Sequence, residues 1–190
     1  MKHPFSFNLI PGLLYIPNYI NQEEEEKLIN IIDEQIWITD LKRRVQHYGY
    51  KYDYKKRALS GAVYLGALPE WAMNIASRLY EDKLMEVLPD QVIVNEYQPG
   101  QGITNHIDCI PCFGDTVISL SLGSSCVMDF TTNEPLTKIP ILLEPCSLVV
   151  FQEKARYEWQ HGIAARKKDK YQGREIVRQR RISMTFRKVI

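Results

Sequence analysis

The stretch Thr116-Val117-Ile118-Ser119-Leu120-Ser121-Leu122 alternates. In an extended chain Ile118, Leu120 and Leu122 fall on one side, and Val117, Ser119 and Ser121 on the other. That period of two predicts a β-strand with one face in a core. Similar pieces lie on either side of it. Residues 91–97 are rich in β-formers and stop at Pro99-Gly100. Residues 125–130, 139–143 and 146–152 follow, separated by turn-rich pieces, and residues 181–189 form a last strand. Ahead of the strands the pattern is helical. Asn21 is placed to cap a helix with acids in its first turn, Glu23 to Glu26, and with Leu28, Ile29, Ile31 and Ile32 behind them. A second helix is expected from Pro69 to Pro89, with Trp71, Ile75, Leu79, Leu84 and Met85 at helical spacing. Two helices followed by many short strands predict an α+β fold whose main body is a β-sandwich or barrel.

The bulk properties suit one domain spanning residues 1–190, with 45% hydrophobic and 11% aromatic residues. No apolar run approaches the roughly 20 residues needed to cross a bilayer, so no membrane partner is expected. Residues 1–8 lack the features of a secretory signal. An intracellular protein is therefore expected, cytoplasmic or, in a eukaryote, nuclear. Its four cysteines are expected to be free thiols. The whole-chain charge of +1 hides an asymmetry. Residues 42–57 carry a net charge of +6, as do residues 166–181, so the remainder is acidic. Two basic segments favour a polyanionic partner, although solvated loops would look the same. No obligate protein partner is evident.

Of the four histidines, His106 and His161 stand in suggestive settings. In Asn105-His106-Ile107-Asp108 an imidazole and a carboxylate are two residues apart, which puts them on the same side of an extended backbone. His161 follows a later predicted strand. Two histidines and a carboxylate on one face of an ion leave the opposite face open, as in non-haem Fe(II) oxygenases. A bare His-x-Asp also occurs as a surface pair or a structural contact. His3 and His47 are read as non-ligands. The last strand carries a second signal: Arg181, Ser183, Thr185 and Arg187 share one face, and Ile182, Met184 and Phe186 share the other. Two guanidiniums and two hydroxyls suit a small dianion, because the arginine fork binds carboxylate bidentately. Asn95 and Tyr97 are spaced to add neutral hydrogen bonds. A half-exposed edge strand would carry the same pattern.

Taken in order, these pieces resemble the AlkB family of 2-oxoglutarate-dependent dioxygenases. The motifs are Asn95-Glu96-Tyr97-Gln98-Pro99-Gly100 running into His106-Ile107-Asp108, then Ser119-Leu120-Ser121-Leu122-Gly123-Ser124, Trp159-Gln160-His161-Gly162 and the 181–187 strand. Together with Arg43-Arg44-Val45-Gln46-His47-Tyr48-Gly49-Tyr50, they look most like the AlkB-type domain of the animal transfer-RNA wobble-uridine hydroxylases. The resemblance implies a double-stranded β-helix, or jelly roll, with the N-terminal helices packed on it. It implies that His106, Asp108 and His161 hold Fe(II) and are catalytic. It also implies that 2-oxoglutarate and O₂ are co-substrates. Arg181 would grip the distal carboxylate and Arg187 would lie near the other end, with Asn95, Tyr97, Ser183 and Thr185 around them. Such enzymes couple oxidative decarboxylation of 2-oxoglutarate to hydroxylation of a C–H bond; an N-methyl group so treated leaves as formaldehyde.

On the substrate side, Tyr48, Tyr50, Tyr52 and Tyr54 alternate with Gly49, Lys51 and Asp53. In a strand they would form an aromatic stripe among cations. Such a stripe could stack bases and hold phosphates, or could be one buried face of a sheet. In family terms residues 41–57 resemble the nucleotide-recognition lid. Arg44, Tyr48, Tyr50, Tyr52, Tyr54, Lys55 and Arg156 are the expected substrate contacts, and single-stranded nucleic acid or a flipped base in DNA or RNA is the expected partner. The leading expectation is dealkylation of N-methylated bases; the alternatives are hydroxylation of a modified transfer-RNA base, demethylation of a protein side chain, or a catalytically silent binding module. One departure bears on this: bacterial repair members usually carry an acid two places after the metal aspartate, and here that place is Ile110. The Cys109-Ile110-Pro111-Cys112 run could be half of a zinc site, but no second pair follows, and incidental thiols are the expectation.

Overall fold

The computed structural model describes residues 5–6, 10–52, 63–133 and 136–190. Strands β1 (Phe5–Ser6) and β2 (Leu13–Ile16) lead into helix α1 (Gln22–Asp33). Asn21 caps that helix, its side chain accepting a hydrogen bond from the Glu24 N–H at 2.8 Å. Strand β3 (Val45–Tyr48) ends at Gly49. There φ is +77°, and a Cβ would stand 1.8 Å from the Asp90 carbonyl oxygen, so only glycine fits. Helix α2 (Glu70–Glu81) follows. It stops short of the expected Pro89 because the chain turns at Lys83, which adopts a left-handed φ of 59°. Leu84 and Met85 therefore pack as core residues beyond the helix.

Strands β4 (Gln91–Tyr97) and β5 (Ile103–His106) come next, then a 3-10 turn (Ile110–Cys112), β6 (Phe113–Gly123), β7 (Cys126–Asn133), β8 (Leu136–Leu143) and β9 (Leu148–Phe151). A short helix α3 (Glu153–Tyr157) leads to β10 (Gln160–Ile163). A hairpin of β11 (Lys168–Tyr171) and β12 (Arg174–Val177) precedes β13 (Arg181–Val189).

The major sheet runs β1-β2-β9-β6-β13-β4-β3, and a second sheet runs β5-β10-β7-β8. Strand β13 lies in the interior of the major sheet, antiparallel to both β4 and β6. It is not an edge strand, and its polar residues Arg181, Ser183, Thr185 and Arg187 are all buried. Its other face carries Ile182, Met184 and Phe186, which join Ile118, Leu120 and Leu122 of β6 under α1 and α2. Each large side chain so buried contributes about 1.5–3 kcal/mol. A separate apolar cluster, including Val117, Met128, Phe130, Val149 and Phe151, draws on both sheets. The polar half of β13 shares its sheet face with Val117 and Val149, so it opens between the sheets, away from the helices.

Candidate active site

Strands β5 and β10 are antiparallel neighbours with His106 directly opposite His161, so strand register brings the two imidazoles together. Their ring centroids lie 4.4 Å apart. Gly162 permits the approach, because a Cβ there would stand 2.2 Å from Asn105 Oδ1 and 2.9 Å from its backbone nitrogen. Asp108 sits just past the end of β5, with Oδ1 3.5 Å from His106 Nε2. One potential ligand atom from each of the three residues lies within 4.8 Å of the others.

Their protonation suits a divalent cation. His106 Nδ1 lies 2.8 Å from the Thr104 carbonyl oxygen; donation to that oxygen leaves the Nε2 lone pair for a metal. Burial, helped by the neighbouring His106, pushes the His161 imidazole down to about 3, against the pull of Asp108. It is therefore neutral at physiological pH. Burial alone would raise the Asp108 carboxyl, but Arg187 and then the two histidines hold it well below its ordinary range. Arg187 Nε donates to Asp108 Oδ2 at 3.1 Å.

The same cavity is lined by Asn95, Tyr97, Arg181, Ser183, Thr185 and Arg187. Arg181 is 3% exposed. Its Nη2 donates to Ser121 Oγ at 2.9 Å, while Nε and Nη1 have no hydrogen-bond partner among the described residues. A buried donor left unpaired costs about 1–3 kcal/mol, and more when charged. These two nitrogens thus fit the carboxylate of a small acid bound beside His106, Asp108 and His161.

The substrate side needs several corrections. Arg156 does not face a substrate: it is 2% exposed and donates to the carbonyls of Asp108, Cys109, Phe113 and Gly114. Four of its five N–H groups are used in clamping the turn that carries Asp108. Arg44 lies on the helix-facing side of β4, paired through two 2.6 Å bonds with Glu96 and stacked 4.7 Å from the Trp37 ring. Tyr48 points the same way, its ring edge-on to Trp71 at 5.1 Å. The aromatic stripe is broken because β3 ends at Gly49. Beyond it Tyr50 packs against Tyr64 at 5.2 Å, and Lys51 N–H bonds to Val63 O at 3.0 Å. Tyr52 lies 5.9 Å from Phe113, and the Phe113 ring lies 4.9 Å from the Arg187 guanidinium. Tyr54 and Lys55 lie outside the described residues. Cys109 and Cys112 are not free thiols but a disulfide, their Cα atoms brought to 5.3 Å by the intervening 3-10 turn. Cys126 and Cys146 are free and buried.

Four of the eight cations of the second basic segment are held in ion pairs within the fold. Arg166 and Arg178 pair with the buried Asp169, Lys168 with Glu175, and Arg180 with Glu96 and Asp33. Sequence reasoning missed Arg43, whose Nε donates to Asn95 Oδ1 at 2.9 Å. The only signal was its place one residue before Arg44, which reverses its side of the sheet.

A model of the 2OG-Fe(II) oxygenase superfamily matches residues 37–187. The chain belongs to this superfamily. Among its relatives is the uncharacterized protein L905 of Acanthamoeba polyphaga mimivirus, 37% identical over 184 residues, covering 94% of this chain and 85% of that protein. The tRNA (carboxymethyluridine(34)-5-O)-methyltransferase ALKBH8 of Mus musculus is 40% identical over 175 residues, covering 88% of this chain but 26% of that protein. The alkylated DNA repair protein ALKBH8 homolog of Arabidopsis thaliana is 36% identical, with 95% and 59% covered. The structure of OsALKBH1 superposes with a TM-score of 0.73 at 18% identity over 98% of this chain and 100% of that one. The fold is accordingly the jelly roll of these oxygenases, and the chain is an AlkB-type 2-oxoglutarate-dependent dioxygenase. The superfamily implies Fe(II) and 2-oxoglutarate, and the His-Asp-His group and the unpaired Arg181 donors fit them. No helix among the described residues is long and apolar enough to cross a membrane.

Proposed function

We propose that this dioxygenase oxidises a carbon substituent on a base of DNA or RNA, with His106, Asp108 and His161 holding Fe(II) and Arg181 gripping 2-oxoglutarate. The single observation that carries the reading is the pair of buried, unpartnered Arg181 nitrogens in the cavity that also holds the three ligand residues. When bound, Fe(II) would let O₂ act as the oxidant, with 2-oxoglutarate giving up two electrons on its decarboxylation to succinate and the substrate carbon the other two; the chain's residues bind, orient and exclude water. Neutral His161 and anionic Asp108 offer lone pairs without first losing a proton. Arg187 and Arg156 fix the Asp108 carboxylate and its backbone. Phe130 and Phe151 wall His161 off from solvent. Tyr52, over Phe113 at the end of the metal turn, is placed to stack a single-stranded or flipped base.

On an N-methylated base the outcome is dealkylation. A second reading, hydroxylation of a carbon-linked substituent on a transfer-RNA base, is favoured by Ile110. It stands 47% exposed on the turn after Asp108 and offers no carboxylate to an exocyclic amine. The similarity to ALKBH8 of mouse also supports it. The test is incubation with methylated oligonucleotides, transfer RNA and methylated peptides, reading succinate release and substrate mass. Loss of a methylene from an oligonucleotide supports dealkylation, and gain of one oxygen on transfer RNA supports the second reading. Reaction with peptides alone contradicts both. Tyr52→Ala is expected to raise the nucleic-acid KM ~10-fold, the worth of one base–aromatic stack, with uncoupled succinate release unchanged.

A further inference from the structure

We propose that Arg43 is a positioning residue for the co-substrate: it locks the Asn95 carboxamide so that Nδ2, not Oδ1, faces the cavity. The inference rests on the reading that this cavity takes 2-oxoglutarate. Arg43 and Arg44 are adjacent but serve opposite sides of β4. Arg44 reaches Glu96 on the helix side, and its carbonyl accepts the Glu96 N–H at 2.9 Å. Arg43 reaches Asn95, the cavity residue beside Glu96. It also lies 6.0 Å from the Tyr97 ring, and Arg181 lies 5.5 Å from the same ring.

The chemistry of the contact fixes the orientation of the amide. A guanidinium has donors and no acceptor, so the Asn95 atom it meets must be the carbonyl oxygen. The carboxamide is planar, and its nitrogen then points away from Arg43. Asn95 is 8% exposed, and among the described residues its Nδ2 has no recorded hydrogen-bond partner. Every oxygen of the 2-oxoglutarate dianion is an acceptor. With Nδ2 inward the cavity gains a donor beside those of Arg181; with Oδ1 inward it would present a repelling dipole. Of the two register neighbours of Asn95, Val45 is apolar and the Ser183 hydroxyl can donate or accept, so neither chooses between the two. Arg43 makes the choice, and it does so from the first residues of the lid segment.

The test is a double-mutant cycle read by calorimetric titration of 2-oxoglutarate into Mn(II)-loaded protein without nucleic acid. Arg43→Ala and Asn95→Ala are each expected to weaken binding ~10-fold, the worth of a hydrogen bond to a charged group. The double variant should be no weaker than Asn95→Ala alone. Lys42→Ala removes the same charge one residue earlier and should leave the affinity unchanged. In turnover, Arg43→Ala should raise KM for 2-oxoglutarate with kcat retained. In ligand-free protein the Asn95 side-chain amide resonance should move in Arg43→Ala and stay put in Lys42→Ala. Additive losses in the double variant, or wild-type affinity in Arg43→Ala, overturn the proposal. If wild-type protein binds no 2-oxoglutarate while the amide resonance still responds to Arg43, the co-substrate reading has failed and the Arg43–Asn95 contact has not.

Discussion

The two faces of β13 hold the seven residues 181–187 to opposite tasks. Toward the helices, Ile182, Met184 and Phe186 are sealed in a continuous apolar cluster with no polar atom to satisfy. Toward the second sheet, Arg181, Ser183, Thr185 and Arg187 are also buried, but two nitrogens of Arg181 have no hydrogen-bond partner among the described residues. One face gives stability, and the other lines a polar cavity that, on the proposed reading, an anion and a cation complete. Buried is thus not the same as structural: the distinction lies in whether the donors are satisfied.

This contrast can be broken by substitution. The largest effect is expected at His106→Ala, which should reduce succinate formation to background with the urea midpoint of metal-free protein unchanged. Phe186→Ala, on the other face, should cost about 3–5 kcal/mol in denaturant unfolding, while the folded fraction keeps its affinity for 2-oxoglutarate. Arg181→Met should lower that affinity ~100-fold, the worth of a bidentate charged contact. Ligand-free stability should hold or rise, since a buried unpaired charge is removed. A fall in stability comparable to that of Phe186→Ala would mean the two faces are not separable.

The smallest effect concerns pH. Burial, then Arg187 and Lys51, lowers the His47 imidazole from 6.5 to about 4 in the folded protein. Between those values the unfolded chain binds the extra proton. The stability linked to His47 is therefore complete above about pH 6.5, is lost as pH falls toward 4, and changes no further below that. His161 extends the loss to about pH 3 in metal-free protein. His47→Gln should flatten the upper part of this slope when urea midpoints are measured across the range.

Periodicity explains what was legible in the sequence. The alternation of 116–122 and 181–187, the Asn21 cap and the His-x-Asp spacing are local patterns that tertiary contacts reinforce. The side of the sheet taken by Arg44 and Tyr48 is not legible, because a one-residue shift exchanges the faces of a strand and β3 is too short to declare its register. Arg156 looked like a free cation because nothing local shows four carbonyls converging on it. Residues 42–57 and 166–181 carry equal net charge, but inside the second segment Asp169 and Glu175 pair with Arg166, Arg178 and Lys168, and Glu96 and Asp33, which only the folded chain brings near, pair with Arg180. The pattern of 181–187 alone does not separate a half-exposed edge strand from an interior one; the flanking β4 and β6 do.

The central claim is that the three side chains of β5, the following turn and β10 hold one ferrous ion beside a keto acid. Anaerobic titration of Fe(II) into protein with excess 2-oxoglutarate tests it most directly, through the visible charge-transfer absorption of an Fe(II)–keto-acid chelate. The account predicts a band that saturates at one equivalent of iron and is absent in His161→Ala. No band in the folded wild-type protein, or an undiminished one in the variant, would contradict it.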